Sequence, residues 1–252
     1  MASTKGNPII FYDVADAQGE SWSSNTYKTR LTLNYKGIPY RVKYIPLCDI
    51  EPTLKELGVP AVFPNFPHYT LPMIADPSDE PNGKPTYVAD SFKIALYLDD
   101  KYPPPQYPLI IPPGTRAIQQ MWFTTYYPPL SALIVKLFYY LSPRIIDERS
   151  AEYWHRSRGD KYKPLSEEED ARTGGNCVKS LMRWANPSAS TMELARLARL
   201  SWATDFLSLT LPLRVEGKES KRLKEMMEWQ GGRWNEFWKG IQDIENKSTQ
   251  LA

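Results

Sequence analysis

The fold of the first part of the chain depends on the stretch WSSNTYKTRLTLNYKG, residues 22–37. The apolar run IIFY at residues 9–12 precedes it and predicts a buried strand. Residues 22–25 then supply hydroxyl and amide oxygens, which accept hydrogen bonds from the free N–H groups at a helix start. Gly37 is typical of a helix end, and Pro39 prevents the helix from resuming. The sequence therefore predicts a strand, a hydroxyl-rich loop and a helix in succession.

The predicted helix has an apolar stripe, and its start suits an anion. Tyr27, Leu31 and Tyr35 recur at a spacing of four and form the stripe. A helix start carries free N–H donors and about half a positive charge. Phosphate, carboxylate and thiolate groups are all stabilised at such a position.

The bulk composition is that of an ordinary globular protein. Of the 252 residues, 42% are hydrophobic and 24% charged, which is sufficient for one large or two modest domains. With 31 basic and 29 acidic residues, the formal net charge is +2, which gives no support to nucleic-acid binding. Aromatic residues make up 13%, a proportion that fits core packing or a flat apolar site for aromatic ligands.

Cysteine and histidine are scarce. Cys48 and Cys177 are too few for a disulfide framework, which predicts a reducing compartment. Neither lies in a Cys/His pattern, and His68 and His155 are far apart in sequence, so no metal site is expected. The N-terminus lacks a signal core, and the longest apolar run, residues 130–141, is too short to span a bilayer. We expect a soluble cytoplasmic protein that binds neither nucleic acid nor membranes.

The first hundred residues alternate between strand and helix patterns. After the opening unit we expect strands at 40–45, 69–75 and 86–89 and helices at 51–57 and 90–102. Two strands separated by one helix predict a parallel pair, and the turn-rich connection between the last two strands predicts an antiparallel hairpin.

The remainder of the chain is predicted to be helical. Proline-rich segments between residues 103 and 114 indicate a linker. Helical patterns follow at 115–142 (interrupted at Pro128-Pro129), 143–158, 166–185, 190–211, 219–229 and 232–246.

Several segments resemble those of the glutathione transferases. SWSSNTYKTRLTLNYKGIPY, residues 21–40, resembles the W-S-P-N-T-W-K-T-R segment of the fungal-specific class related to bacterial glutathione-dependent β-etherases. YTLPMI (69–74), DSFKIALYLDDKYP (90–103) and EWQGGRW (228–234) resemble further segments of that class. The likeness is strong over residues 8–105 and weaker beyond them.

The resemblance implies a two-domain fold and an activity. A thioredoxin-like α/β N-terminal domain is expected at 1–102, a linker at 103–114 and an all-α C-terminal domain at 115–252. The implied activity is that of a serine-type glutathione transferase, with glutathione as co-substrate and no other cofactor. Its second substrate is expected to be an apolar aromatic electrophile, an aryl ether or a peroxide. Family members are commonly homodimers, so a homodimer is expected.

The resemblance also assigns the glutathione site. Ser23 aligns with the serine whose hydroxyl donates to the glutathione thiolate. Ser24 is its rival, because it stands where the family has a proline that fixes the loop. Asn25 either caps the helix or contacts glutathione. Leu71 is the expected main-chain partner of the cysteinyl unit, with Pro72 in the cis form.

The remaining expected contacts are those to the γ-glutamyl group of glutathione and those to the second, apolar substrate. Asp90 and Ser91 are expected to hold the γ-glutamyl amine and carboxylate, where a helix start assists. The apolar substrate is expected to meet side chains at Tyr12, Ser21, Trp122, Phe123, Tyr126 and Tyr127. A non-catalytic carrier of polyphenolic or other aromatic compounds is the alternative, and a protein-binding scaffold is a third.

One part of the second domain departs from the family. Residues 186–211 lack the usual S-x-A-D capping motif, because SWATD at 201–205 places the acid one residue late. The packing of that segment therefore cannot be inferred from the resemblance.

Overall fold

A computed structural model describes most of the first half of the chain and parts of the second. The described residues are 3–80, 83–126, 128–129, 132, 135, 139–158, 165–169, 172–173, 228, 235–236 and 238–252. The chain forms two compact units, Met1–Ile110 with Met227–Ala252, and Ile111–Met226. The predicted boundaries at 102 and 115 stay predictions. The sequence did not indicate that C-terminal residues belong to the first unit.

A four-stranded mixed sheet forms the centre of the first unit, with the strand order β2-β1-β3-β4. Its strands are β1 (Ile9–Val14), β2 (Tyr40–Ile45), β3 (Met73–Asp76) and β4 (Thr86–Ala89). β1 is parallel to β2, and β3 is antiparallel to both β1 and β4. The predicted parallel pair and hairpin are confirmed, and with them the thioredoxin-like class. β3 begins later than predicted, immediately after Pro72, which has no N–H to donate to a ladder.

Helices cover both faces of this sheet. They are α1 (Ser24–Lys36), α2 (Ile50–Glu56, after a 3₁₀ turn at Leu47–Asp49) and α3 (Ser91–Lys101). Side chains alternate along β1, so Ile9 and Phe11 pack in the core cluster with α1 and α3. Tyr12 and Val14 pack in a second cluster with α2.

α1 begins and ends as predicted, but its buried face differs from the prediction. Ser23 is the N-cap, and Gly37 follows the last turn with φ 70°. Tyr35 is 45% exposed, so the predicted stripe is wrong at that position. Most of the side chains that α1 buries are polar or charged, and the full set is Thr26, Lys28, Thr29, Leu31, Thr32, Leu33, Asn34 and Lys36.

Lys36 and Asp99 form a buried ion pair between the ends of α1 and α3. Lys36 Nζ lies 2.8 Å from Asp99 Oδ1, and both side chains are almost inaccessible. Lys36 Nζ also donates to the carbonyl of Pro108 at 2.9 Å, and the amide of Ile110 donates to Asp99 Oδ1 at 3.0 Å. Because each charge has further hydrogen-bond partners, the pair fixes residues 108–110 to the two helices.

The C-terminal tail pairs with the edge of β2. The amide of Tyr40 donates to the carbonyl of Thr249 at 3.3 Å, and the amide of Leu251 donates to the carbonyl of Tyr40 at 2.7 Å. These bonds create a parallel bridge between Tyr40 and Gln250. Gln250 Oε1 also accepts from Arg30 Nη1 at 2.6 Å. The tail therefore covers main-chain groups that an edge strand would otherwise expose.

Most of the described residues of the second unit are helical. It contains α4 (Arg116–Met121), a π-helical segment (Trp122–Tyr126), a 3₁₀ turn (Tyr139–Arg144) and α5 (Glu148–Arg158). The helix predicted from 115 is present from Arg116 to Tyr126, but it changes from α-helix to π-helix after Met121.

α5 also begins later than the predicted 143. Its start is set by Asp147, whose carboxylate accepts from the amide of Ser150 at 3.0 Å. Burial acts to raise the pKa of Asp147, but the hydrogen bonds from Ser150 outweigh burial and lower it.

Several predictions fall partly or wholly outside the described residues. The predicted helix at 190–211 and the unusual segment at 186–211 lie outside them entirely. The predicted helices at 166–185, 219–229 and 232–246 are described only in part, with helical residues at 167–169, 172–173, 228, 235–236 and 238–245. Within the described part of the chain, no helix has the length and hydropathy needed to cross a bilayer.

Candidate functional site

Three of the predicted site segments meet at one edge of the sheet. Tyr12 of β1 pairs with Met73 of β3, and Met73 pairs with Ala89 of β4. The carboxyl ends of β1 and β4 therefore lie beside the amino end of β3. The chain segments at these ends carry the predicted glutathione-binding residues, which are Ser23, Ser24, Asn25, Leu71, Pro72, Asp90 and Ser91.

The loop between β1 and α1 is held by its own hydrogen bonds. Ala15 and Ser21 form an antiparallel bridge, and Trp22 Nε1 donates to the carbonyl of Ala15 at 3.1 Å. Trp22 also packs against the core cluster that contains Leu71. The loop thus brings the start of α1 to the part of the sheet edge where Leu71 lies.

Ser23 occupies the N-cap position of α1. Its backbone is extended (φ −83°, ψ 126°), and its Oγ accepts from the amide of Asn25 at 3.3 Å. Ser24 is the first residue of the helix, and both serines are half-buried. Among the described residues, nothing accepts the hydroxyl hydrogen of Ser23. Ser23 can therefore cap the helix with its oxygen and still donate its hydrogen to a bound anion.

The Leu71–Pro72 peptide bond is cis, as the resemblance implied. The carbonyl of Pro72 accepts from the amide of Asp90 at 3.2 Å, which joins the segment before β3 to the start of α3. The side chain of Leu71 is buried in the core. Its amide and carbonyl make no turn or loop bond within the described residues, so an extended ligand can pair with them.

Asp90 combines a cap with an unusual backbone. Its Oδ1 accepts from the amides of Phe92 and Lys93 at 3.0 Å each, which caps α3. Its φ is 84°, a value that costs a non-glycine residue about 1–3 kcal/mol. The second oxygen, Oδ2, makes no hydrogen bond to a described residue. This oxygen and the half-buried Ser91 beside it are available to a ligand.

Comparison with known proteins identifies the first unit. Residues 22–101 match the family model of the glutathione S-transferase N-terminal domain. These residues therefore form a glutathione S-transferase N-terminal domain. The Glutathione S-transferase-like protein ustS of Aspergillus flavus is 34% identical over 177 residues, which are 66% of this chain and 61% of that relative. The chain therefore spans less than two thirds of the length of this curated relative.

Solved structures of fungal glutathione transferases share the fold. Glutathione transferase GSTFuA3 from Phanerochaete chrysosporium is 28% identical, with a TM-score of 0.76 over 94% of this chain and 97% of its own. A glutathione S-transferase of Ceriporiopsis subvermispora, solved in complex with glutathione, is 26% identical. Its TM-score is 0.81, over 95% of this chain and 98% of its own. The glutathione transferase fold thus extends over most of the chain.

Two residues predicted to meet the apolar substrate lie near the same sheet edge but are buried. Tyr12 is 5% exposed in the cluster beneath α2. Burial, with a smaller contribution from Tyr87, raises the pKa of Tyr12, so its hydroxyl stays protonated at neutral pH. Ser21 is also buried, and its Oγ has no hydrogen-bond partner among the described residues.

The other predicted substrate contacts belong to the second unit. Trp122, Phe123 and Tyr126 lie on the π-helical segment, where Phe123 is half-buried. Tyr127 lies outside the described residues.

Arg30 is a residue of this domain that the sequence analysis did not single out. Its Nη2 lies 2.9 Å from Asp13 Oδ2 and 3.2 Å from the hydroxyl of Tyr44, and its guanidinium carbon lies 5.5 Å from the ring centre of Phe11. Burial acts to lower the pKa of Arg30, but the Asp13 carboxylate and its hydrogen bond raise it above its ordinary value. The pair ties α1 to the end of β1. The sequence signal for this ion pair was Asp13, an acidic residue at the end of an apolar strand.

The described residues offer no metal centre. No group of His, Cys, Asp and Glu within them could hold a metal ion.

Proposed function

We propose that this protein is a glutathione transferase that uses the hydroxyl of Ser23 to stabilise the thiolate of glutathione. The observation that carries the proposal is the N-cap geometry of Ser23, whose hydroxyl hydrogen is not used by the described residues. The hydroxyl lies at the start of α1, at the sheet edge that also carries Leu71 and Asp90.

The chemistry follows from the position of that hydroxyl. A free thiol has a pKa of about 8.5, and a helix N-terminus lowers it. A hydroxyl that donates to the sulfur lowers it further, because hydrogen bonds to a charged acceptor are the stronger kind. The thiolate then attacks an electrophilic carbon, a C–S bond forms, and the leaving group departs with its electron pair.

The rest of the tripeptide is proposed to lie along the same edge. The γ-glutamyl amine would meet the free oxygen of Asp90, and its carboxylate would meet Ser91 and the start of α3. The cysteinyl main chain would pair with Leu71 beside Pro72. The related Ceriporiopsis subvermispora structure, which was solved in complex with glutathione, supports binding of this tripeptide.

The second substrate is proposed to be an apolar aromatic electrophile, an aryl ether or a peroxide. The excess of aromatic residues and the W-S-S-N-T segment support this class, as does the resemblance to etherase-related transferases. We propose a cytoplasmic homodimer on the same resemblance.

Ser23→Ala tests the proposal, with Ser24→Ala as the matched control one residue along the loop. A hydrogen bond to a charged group contributes about 1.5–3 kcal/mol, so loss of the Ser23 hydroxyl should lower turnover about ten- to hundredfold. Conjugation and aryl-ether thiolysis are measured alongside the ultraviolet absorbance of bound thiolate. Equal rates for Ser23→Ala and wild type would remove Ser23 from the mechanism, and a loss confined to Ser24→Ala would transfer the role.

The same measurements separate the enzyme from a ligand carrier. A carrier would displace an aromatic dye and show no turnover with any electrophile in either the wild type or the two variants. Absence of glutathione binding by calorimetry would instead favour a protein-binding scaffold.

A further inference from the structure

Lys28 is a buried cation in the first turns of α1. The residue is 7% exposed, and its Nζ donates to Asn25 Oδ1 at 3.0 Å. Side chains on a helix point back toward its N-terminus, so the ammonium group lies over the turn that begins at Ser24. The first turn contains no acidic residue. The ammonium group of Lys28 therefore lies close to the positive end of the helix.

The hydrogen bond between these two residues fixes the orientation of the Asn25 side chain. A lysine ammonium carries only donors, so the carboxamide must present its oxygen to Lys28. The amide nitrogen, with its two N–H donors, consequently faces away from Lys28. Asn25 is exposed, whereas Lys28 is buried, so these donors are accessible at the start of the helix.

The ammonium group also changes the strength of those donors. A cation that hydrogen-bonds to a carbonyl oxygen draws electron density from the amide, and chains of hydrogen bonds polarise one another. The N–H groups of Asn25 therefore become better donors to an anion than those of an isolated carboxamide.

We propose that Lys28 is a positioning residue for glutathione, which holds the carboxamide of Asn25 with its N–H donors toward the thiolate at the start of α1. The proposal rests on the glutathione site proposed above. It assigns to Lys28 an action through Asn25, not a direct contact with the ligand.

A double-mutant cycle on the full-length chain tests this assignment. The variants are Lys28→Met, Asn25→Ala and the double variant, and calorimetry measures their dissociation constants for glutathione and S-methylglutathione. We expect Lys28→Met and Asn25→Ala each to weaken glutathione binding about five- to tenfold, and the double variant to be no weaker than Asn25→Ala alone. S-methylglutathione, which has no thiolate, should show less than a twofold change. Lys55→Met on α2, which breaks an exposed pair with Glu51, is the matched charge control and should leave both constants unchanged.

Asn25→Asp keeps the proposal testable even if Lys28→Met lowers stability. A carboxylate at this position retains the bond to Lys28 but has no N–H to donate and repels the thiolate. It should therefore preserve the melting temperature while weakening glutathione binding at least tenfold.

Each remaining outcome contradicts the proposal or its premise. If Lys28→Met weakens glutathione binding equally in the Asn25→Ala background, Lys28 does not act through Asn25. If Asn25→Asp binds glutathione like the wild type while Ser23→Ala does not, this inference fails and the proposed function stands. If the wild type does not bind glutathione, the proposed function itself fails.

Discussion

Asp90 allows stability and ligand binding to be separated at one position. In the structure it makes two cap hydrogen bonds with Oδ1, has a φ of 84° and leaves Oδ2 without a described partner. Asn is as good a cap as Asp, so Asp90→Asn should keep the stability of the wild type within about 0.5 kcal/mol. Asp90→Ala loses both cap bonds and keeps a Cβ at positive φ, which should cost about 1–2 kcal/mol.

Asp90→Gly is the informative comparison. Glycine also loses the cap, but it adopts a φ of 84° without the strain that a Cβ creates, and the strain is worth about 1–3 kcal/mol. We therefore expect the glycine variant to be more stable than the alanine variant by about 1–2 kcal/mol. In a chain of this size that difference corresponds to about 2–8 °C in melting temperature.

Urea and thermal denaturation measure the order of stability, and calorimetry measures glutathione affinity. All three variants lack the carboxylate, so each should bind glutathione about ten- to hundredfold more weakly than the wild type, whatever its stability. An alanine variant as stable as the glycine variant would refute the argument from backbone strain. An asparagine variant with unchanged affinity would show that the carboxylate is not a ligand group.

Two ion pairs of different burial should respond differently to loss of their lysine. Lys36→Met leaves Asp99 charged and buried, so urea denaturation should show a loss of about 3–5 kcal/mol. Lys101→Met breaks the exposed pair with Asp79 and should destabilise the protein far less. The pKa of Asp79 is lowered from 3.8 to about 2, and the hydrogen bond from Lys101 is the largest contribution to that shift. The stabilisation from that pair is therefore complete above pH 3.8 and is lost as the pH falls toward 2. The Tm difference between wild type and Lys101→Met should shrink over that pH range. Added salt should also reduce this Tm difference, because it screens exposed charges. Thr249→Val removes the hydroxyl that donates at 2.6 Å to a carbonyl just before β2, and a lowered Tm of about 2–4 °C should follow.

The sequence predicted those elements whose signals are local. The start and end of α1 follow from Ser23 and Gly37, and the α2 region was predicted within one residue at each end. The alternation of exposed and buried side chains along β2 was likewise readable from its period of two.

The buried face of α1 could not be predicted, because its partners are distant in sequence. Lys36 is paired with a residue 63 positions away, and Arg30 contacts a residue 220 positions away. From sequence alone, a polar side chain in a helix is predicted to face solvent, because its distant partners are not known. The spacing of the aromatic and leucine residues therefore predicted an apolar stripe through Tyr35. In the structure, polar residues of α1 that hydrogen-bond to distant partners are buried instead.

At the candidate site, Asp90 also has one feature that the sequence predicted and others that it did not. Its role as a helix cap was evident from the residue type. Its positive φ and the hydrogen bond that its amide donates to the carbonyl of Pro72 depend on the neighbouring strands and could not be read from the sequence. The cis form of Pro72 was implied by the family resemblance alone, since X–Pro bonds are trans in about 95% of cases.

The candidate site depends on helix starts and main-chain groups more than on unusual side chains. α1 and α3 both begin at the sheet edge beside Leu71, and neither has an acidic residue in its first turn. The start of α1 has no acidic residue, whereas the start of α3 is capped by the carboxylate of Asp90. The first therefore favours an anion, and the second favours a group that carries a cation beside an anion. A thiolate and the α-amino and carboxylate groups of a γ-glutamyl unit meet that requirement within one tripeptide.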